Sequence, residues 1–153
     1  MIPQISQAPG VVQLVLNFLQ VLEQQGFTGD TATSYADRLT MATDNSVYQL
    51  LPDAILFPRS TADVALLARL AAEPRFKSLI FTPRGGGTGT NGQALNAGII
   101  VDMSRYMNRI IEINPEEGWV RVEAGVIKDQ LNQFLKPYGY FFAPELSTSN
   151  RAT

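Results

Sequence analysis

A glycine-rich loop between two short apolar segments is the feature of this sequence that most constrains its fold. The loop runs from Pro83 to Gly92 and reads PRGGGTGTNG. Because glycine has no Cβ, its backbone can adopt positive φ and approach a ligand closely, so several amide N–H groups can point at one place. Such a row of amides binds phosphate oxygens, while Thr88 and Thr90 add hydroxyl donors and Arg84 adds a positive charge. The alternative from composition alone is a flexible loop with no ligand.

Two better-known phosphate loops do not fit this sequence. A Walker A loop needs a lysine directly after its glycines, and there is no lysine between positions 78 and 127. Gly87, Gly89 and Gly92 do match the G-x-G-x-x-G pattern of a nicotinamide-binding Rossmann domain, but that fold requires a helix to begin near Gly89. An apolar strand expected at 98–102 leaves no room for such a helix, so the sequence favours a bare loop between two strands.

The first part of the chain predicts helices. Apolar residues at helical spacing predict a helix over about 10–25, and a shorter second helix is expected over 31–41. The run Asp44-Asn45-Ser46 is typical of a turn, since these side chains bond to nearby backbone. A boundary near this turn divides the chain into an N-terminal helical segment, 1–47, and a second unit, 48–153.

The second unit begins with the spacing of a βαβ unit. An apolar strand is predicted at 54–57, followed by a helix that Ser60 and Asp63 cap and that runs to about Ala72. The next strand is expected at 77–82. This arrangement predicts two parallel strands joined by a crossover helix.

The part of the chain after the glycine loop predicts further strands and one helix. A β-hairpin is expected over 109–114 and 119–123, joined by a turn that contains proline and glycine. A helix over 128–136 follows, and the chain then becomes polar and turn-rich. Asp102, at the end of strand 98–102, is expected to have a cap or turn role rather than a catalytic one.

Composition narrows the remaining possibilities. The chain has 45% hydrophobic and 17% charged residues and a net charge of −2. Its lysines and arginines are scattered, so a nucleic-acid partner is not expected. The sequence contains no cysteine and no histidine, which removes disulfides, thiolate ligands and the usual general base from this segment. No stretch has the roughly 20 apolar residues of a transmembrane helix, and a cytoplasmic location is expected.

Four segments, taken in order, resemble the FAD-binding domain shared by vanillyl-alcohol oxidase, the p-cresol methylhydroxylase (PCMH) flavoprotein and the FAD-linked 2-hydroxyacid dehydrogenases. They are LPDAILFPRSTADV at 51–64, the loop at 83–92, the hairpin and helix region at 122–139, and FAPELSTSNRAT at 142–153. The fold class that this resemblance implies is α+β. N-terminal helices would be followed by the βαβ unit and the mixed-sheet first part of a PCMH-type FAD-binding domain, truncated at its C-terminus.

The resemblance also implies which residues bind the cofactor, FAD. The pyrophosphate would lie along backbone N–H groups and threonine hydroxyls of the loop, and the ribityl chain and flavin ring would run beside the last segment. The loop residues are Arg84, Gly85, Gly86, Gly87, Thr88, Gly89, Thr90 and Gly92. The residues of the last segment are Pro144, Glu145, Leu146, Ser147 and Thr153. No catalytic residue and no metal ligand is expected within this chain.

The opening residues, including TDNSVY at 43–48, resemble a long bacterial branch similar to D-2-hydroxyglutarate dehydrogenases, in which a flavin part is followed by an iron–sulfur part. This resemblance implies oxidation of a small D-2-hydroxyacid to the 2-oxoacid by hydride transfer to FAD. Any iron–sulfur cluster would lie outside this chain, which alone is expected to be inactive. A homo-oligomer is also expected. The competing hypothesis is a non-catalytic α/β module that binds partners through its N-terminal helices.

Overall fold

The computed structural model describes residues 10–153, so the first nine residues of the predicted N-terminal segment lie outside the described range. The helices are α1 (Gln13–Gln24), α2 (Tyr35–Thr40), α3 (Thr61–Ala71) and α4 (Lys128–Leu135). The strands are β1 (Asp30–Ala32), β2 (Ala54–Phe57), β3 (Phe81–Arg84), β4 (Ile99–Asp102), β5 (Ile110–Asn114) and β6 (Trp119–Val122). Short 3-10 turns lie at Pro74–Phe76 and Lys136–Tyr138.

Four strands form a mixed sheet in the order β1-β2-β4-β3. β4 runs parallel to both β2 and β3, with Ile100 opposite Ile55 on one side and Thr82 on the other. The predicted βαβ unit is confirmed, since α3 connects the parallel strands β2 and β3, although β4 is inserted between them. The carboxyl ends of these three strands therefore lie along one edge of the sheet, and the glycine loop leaves from that edge.

The main hydrophobic core lies between this sheet and the helices α1 and α3. The predicted apolar face of α1 is almost completely buried, with Val15, Phe18 and Leu22 at 1%, 0% and 0% exposure. The ring of Phe18 packs edge-on against Phe76 at a centroid distance of 5.1 Å. Full burial of a large apolar side chain contributes about 1.5–3 kcal/mol, so these contacts fix α1 on the sheet.

The segment 31–41 is not one helix, which corrects the expectation from the sequence. Its first residues belong to β1, which pairs antiparallel with β2 and places Thr31 opposite Leu56. Only Tyr35–Thr40 is helical, and the hydroxyl of Ser34 caps that helix by accepting a hydrogen bond from the Asp37 N–H. The edge of the sheet supplies hydrogen-bond partners that the local pattern does not reveal.

Residues on both sides of the predicted boundary at 47 contribute to the same sheet and core. β1 and α1 precede the boundary, whereas β2, α3 and β4 follow it. The side chains of Phe18 and Leu22 share one apolar cluster with Leu56, Leu70 and Ile99. Whether 1–47 and 48–153 behave as separate units stays a prediction.

Strand β3 begins later than predicted, at Phe81 rather than at residue 77. The chain first makes the 3-10 turn at Pro74–Phe76, which buries Phe76, and only then extends beside β4. Pro83 and Arg84 belong to the strand because they lie opposite Val101 and Asp102. β3 is an edge strand, where a proline is tolerated. The free part of the glycine loop therefore starts at Gly85.

The predicted hairpin is confirmed and forms a second, two-stranded sheet of β5 and β6. The helix α4 packs on it through Leu131 and Leu135, which form an apolar cluster with Val126 and hairpin side chains. An isolated hairpin is marginally stable in water, so α4 supplies the apolar surface that the hairpin needs.

The buried carboxylate of Asp63 fixes the start of α3. Its oxygens accept hydrogen bonds from the Thr28 N–H at 2.8 Å, the Thr28 hydroxyl at 2.9 Å and the Arg59 N–H at 2.8 Å, and Ser60 caps the helix as predicted. Burial raises the pKa of Asp63, but these hydrogen bonds outweigh burial and hold the pKa below its ordinary value.

Replacing Asp63 with asparagine is expected to lower the free energy of unfolding at pH 7 by about 2 kcal/mol, because an amide group would face N–H donors. A carboxylate with a lowered pKa stabilises the fold above its unfolded pKa of about 4, and that contribution is lost as pH falls through the folded pKa. The loss of unfolding free energy caused by Asp63→Asn should therefore be smaller in acid than at pH 7. Urea unfolding at pH 7 and pH 3 measures it, with Asp129→Asn, an exposed carboxylate on α4, as control. Equal deficits at both pH values would contradict this role.

Candidate functional site at the glycine loop

The glycine loop joins the carboxyl end of the edge strand β3 to the start of β4. No residue from Gly85 to Gly98 is helical, and β4 begins at Ile99. The helix that a Rossmann domain requires near Gly89 is therefore absent, which confirms the prediction of a bare loop between two strands. In open α/β sheets, ligands bind outside the carboxyl ends of the strands, and this loop occupies that position.

The amide N–H groups from Gly85 to Thr90, the first part of the loop beyond β3, have no protein partner within residues 10–153. Nearly all buried amides in proteins are paired, so a run of unpaired N–H groups in a half-buried loop indicates partners from solvent or from a ligand. The hydroxyls of Thr88 and Thr90 are also without a protein partner in this range.

The side chain of Arg84 points into the protein rather than over the loop. It is 8% exposed, and its guanidinium donates to the carbonyl of Thr43 at 2.7 Å and to those of Met41 and Ala94 at 3.4 Å. Burial lowers the pKa of Arg84, while the negative charges of Asp102 and Asp44 act in the opposite direction. The Arg84 side chain therefore anchors the root of the loop, and its predicted contact with the cofactor stays a prediction.

The turn at Asp44 to Tyr48 forms one wall of the loop. The predicted turn is confirmed, since the Asp44 carboxylate accepts from the Ser46 N–H at 2.8 Å. The Asn45 N–H donates to the Gly87 carbonyl at 3.0 Å, and the Tyr48 ring packs beside Gly92. Sequence reasoning placed a domain boundary here and missed these contacts, because a turn carries no signal of what it packs against.

Burial raises the pKa of the Asp44 carboxyl, but hydrogen bonds from Ser46 and the positive charge of Arg84 outweigh burial and hold the pKa below its ordinary value. The carboxylate therefore stays charged at neutral pH and balances the buried guanidinium of Arg84. This balance matters because an unpaired buried charge is strongly destabilising.

The backbone of Gly87 has a φ of +64°, in the left-handed region, and it packs against the guanidinium of Arg84. A Cβ at this position would lie 2.5 Å from Nη2 of Arg84. We expect Gly87→Ala to lower the free energy of unfolding by about 1–2 kcal/mol more than Gly118→Ala. Gly118 has a similar φ of +72° but open space around it, so the comparison isolates the clash with Arg84. Thermal unfolding of the two variants measures the difference, and equal losses would contradict the packing.

The end of the chain folds back onto the first two glycines of the loop. The Arg151 guanidinium donates to the Gly86 carbonyl at 2.9 Å, and Thr153 packs against Gly85 so closely that a Cβ there would overlap its hydroxyl. The start of α4 holds this end in place, since the Lys128 N–H donates to the Ala152 carbonyl at 2.9 Å. Of the predicted residues of the last segment, Thr153 is thus brought to the loop.

The other predicted residues of that segment are those at 144–147. All of them are exposed, and Glu145 forms an ion pair with Lys128 at 3.5 Å. Leu146 and Thr153 line the same apolar cavity of about 450 Å³ between the hairpin and α4. Within the described part of the chain, residues 144–147 make no hydrogen bond to the loop, so their contact with the cofactor stays a prediction.

Two cavities flank the glycine loop, one with a mostly polar lining and one with a mixed polar and apolar lining. The first, of about 210 Å³, lies on the side of Asp44 and Thr88, and the second, of about 340 Å³, lies on the side of Gly86 and Asp102. Arg151 lines both cavities. Sequence reasoning did not single out Arg151, since one arginine in a polar tail has no distinguishing pattern.

Asp102 has the turn role expected from the sequence. Its carboxylate accepts hydrogen bonds from the Ser104 N–H and hydroxyl, each at 2.8 Å, and from the Arg105 N–H at 3.1 Å. Among residues 10–153, no cluster of acidic side chains could hold a metal ion. The same range contains no helix that is long and apolar enough to cross a membrane.

Comparison with known proteins defines the class. The profile of the FAD binding domain family matches residues 52–153, and the chain therefore belongs to this family. It is similar to a D-2-hydroxyglutarate dehydrogenase of Escherichia coli (strain K12), with 91% identity over all 153 residues. It is also similar to one of Haemophilus influenzae, with 63% identity over the same length. The chain spans 15% of the length of each of these curated relatives.

Solved structures share the fold. An alkyldihydroxyacetonephosphate synthase superposes with a TM-score of 0.71 at 21% identity, over 90% of this chain and 28% of that one. A 4-ethylphenol oxidase from Gulosibacter chungangensis gives 0.66 at 20% identity, over 86% of this chain and 26% of the other. These likenesses confirm the predicted α+β fold class, that of a PCMH-type FAD-binding domain.

Proposed function

We propose that this chain binds the pyrophosphate of FAD on the glycine loop. The observation that carries the proposal is the run of unpaired N–H groups from Gly85 to Thr90, at the carboxyl edge of the sheet in a chain of the FAD-binding domain family. Consecutive backbone N–H groups form concave sites for phosphate oxygens. The hydroxyls of Thr88 and Thr90 add donors, and the backbone of Arg84 and Gly92 closes the two ends of the loop.

The proposed path of the rest of the cofactor follows the last segment of the chain. Thr153, beside Gly85, would be the contact nearest the pyrophosphate. Pro144, Glu145, Leu146 and Ser147 would then lie along the ribityl chain and the flavin ring. The apolar cavity that Leu146 and Thr153 share supports this path, because cofactor sites are concave and mostly apolar with a few polar groups.

We further propose that the protein oxidises a small D-2-hydroxyacid similar to D-2-hydroxyglutarate, as the names of its curated relatives indicate. When bound, FAD supplies a hydride acceptor for the carbon that bears the hydroxyl group. The residues of this chain would hold and orient the cofactor. The sequence has no histidine. We therefore expect the groups that bind the substrate carboxylate and remove the hydroxyl proton to lie outside this chain, in the further length that its relatives have.

Several finer features remain proposals. An iron–sulfur cluster would lie in a part of the protein outside this chain, and the chain alone would be inactive. The protein would be cytoplasmic, which fractionation of cells would check. It would be a homo-oligomer with no nucleic-acid partner, which the mass of the purified protein would check. The alternative, a module that binds partners through its N-terminal helices, is disfavoured because the apolar face of α1 is buried in the core.

A flavin titration of this chain, beside a chain extended to the length of the relatives, tests the proposed site. We expect the longer chain to bind FAD saturably and Thr88→Glu to weaken that binding at least tenfold, because a carboxylate beside the N–H row repels phosphate. Gln133→Glu adds the same charge to an exposed position on α4 and should have no effect. Absence of FAD binding by both lengths would contradict the proposal.

A further inference from the structure

Two arginines lie at the glycine loop, and their surroundings differ. Arg84 is buried, and it donates to three backbone carbonyls. Two negative charges, those of Asp102 and Asp44, already act on it. Because protein groups already occupy its hydrogen-bond donors and balance its charge, the Arg84 guanidinium is poorly placed to bind a ligand. The sequence suggested Arg84 as the positive charge that neutralises phosphate. In the structure, its side chain anchors the loop instead.

Arg151 is exposed and stands at the rim of the loop. One of its N–H groups donates to the Gly86 carbonyl at 2.9 Å. Arginine has five N–H donors in a planar fork, and within residues 10–153 this is the one hydrogen bond that the Arg151 side chain makes. No acidic side chain of the described residues forms an ion pair with it. Its charge and most of its donors are therefore available.

The position of Arg151 is also fixed. It ends a turn in which its own N–H and that of Ala152 donate to the Thr148 carbonyl, each at 3.0 Å. The N–H groups of Lys128 and Asp129, at the start of α4, hold this turn through the carbonyls of Ala152 and Ser149. Arg151 lines both cavities beside the unpaired N–H groups.

We propose that Arg151 is the cation that neutralises the phosphate groups of the cofactor at this loop. The inference rests on the proposed FAD site and adds a residue that the sequence did not suggest. Arginine matches phosphate oxygens in a bidentate geometry, and charge-assisted hydrogen bonds of this kind are about twice as strong as neutral ones. The N–H groups from Gly85 to Thr90 would shape the phosphate site, and Arg151 would supply its positive charge.

The test compares two flavins in whichever chain length binds FAD. FAD carries the pyrophosphate and riboflavin lacks it, so loss of a phosphate contact should affect the first and not the second. We expect Arg151→Gln to raise the dissociation constant for FAD about tenfold, to leave that for riboflavin unchanged, and to reduce the salt dependence of FAD binding. Arg151→Lys should recover part of the loss. Arg121→Gln removes an exposed arginine from the hairpin and serves as control.

The outcomes separate this inference from the proposed function. If the parent binds FAD and Arg151→Gln binds it equally well, the role of Arg151 is wrong while the FAD site stands. Equal losses for FAD and riboflavin would show that Arg151 shapes the site without contacting phosphate, which also overturns the inference. If no chain length binds FAD, the proposed function fails and this inference fails with it. Thermal unfolding without flavin should be the same for Arg151→Gln and the parent.

Discussion

Replacing Arg84 with methionine is expected to lower the free energy of unfolding of this chain by about 3 kcal/mol. The methionine side chain keeps much of the volume but removes the donors that serve the carbonyls of Met41, Thr43 and Ala94. It also leaves Asp44 without the positive charge that balances it. Urea unfolding at neutral pH measures the loss.

Two further variants sharpen the Arg84 prediction. Arg75→Met removes an exposed arginine whose ion-pair partner is Glu73, and its stability should change little because exposed pairs contribute at most about 1 kcal/mol. Arg84→Lys should recover only part of the stability, since an ammonium group cannot serve three carbonyls as a planar fork does. Full stability of Arg84→Met would show that the guanidinium does not anchor the loop.

Replacing Gly86 with alanine is expected to detach the end of the chain from the loop. A Cβ on Gly86 would overlap the carbonyl oxygen of Arg151, a backbone atom that can move only if the whole turn at 148–151 moves. Gly86 has no positive φ, so the substitution tests space alone. Detachment would remove the carbonyl acceptors of the Lys128 and Asp129 N–H groups. Amide hydrogen exchange at these two residues should accelerate at least tenfold.

Gly89→Ala is the matched control for Gly86→Ala. The Cβ at Gly89 would meet the far end of the Gln93 side chain, which can rotate away at little cost. Exchange at Lys128 and Asp129 should therefore stay at the parental rate in Gly89→Ala. If Gly86→Ala also leaves these rates unchanged, the end of the chain is not held against Gly86. If the proposed FAD site is correct, Gly86→Ala should also lose FAD affinity, whereas Gly89→Ala should lose less.

Much of the architecture follows from local sequence signals. The helical spacing of Val15, Phe18 and Leu22 predicted α1, and the Ser60 cap predicted the start of α3. The hairpin followed from two apolar runs joined by a turn with proline and glycine. Each of these signals depends on residues within a few positions of one another, so the sequence could be interpreted without knowledge of the rest of the chain.

The elements that sequence reasoning placed wrongly depend on distant partners. β1 forms a strand because it pairs with the edge of β2, which lies more than twenty positions later in the chain. β3 starts at Phe81 because the register with β4 begins there. Short segments of this kind have weak local preferences, and their conformation is decided by the neighbour that satisfies their backbone hydrogen bonds.

By itself, the sequence determined that a glycine loop lies between two strands and that this loop resembles the pyrophosphate loop of FAD-binding domains. Glycine spacing and the absence of a following helix are local properties, and local steric limits decide what they permit. Only the tertiary structure decided how the two arginines at the loop are used. Arg84 is buried because the carbonyls of Met41 and Thr43 reach it from the N-terminal part of the chain, and Arg151 is held at the rim of the loop because the turn that carries it docks on α4. Burial and hydrogen-bond partners arise from contacts between distant segments, and no spacing within the sequence encodes them.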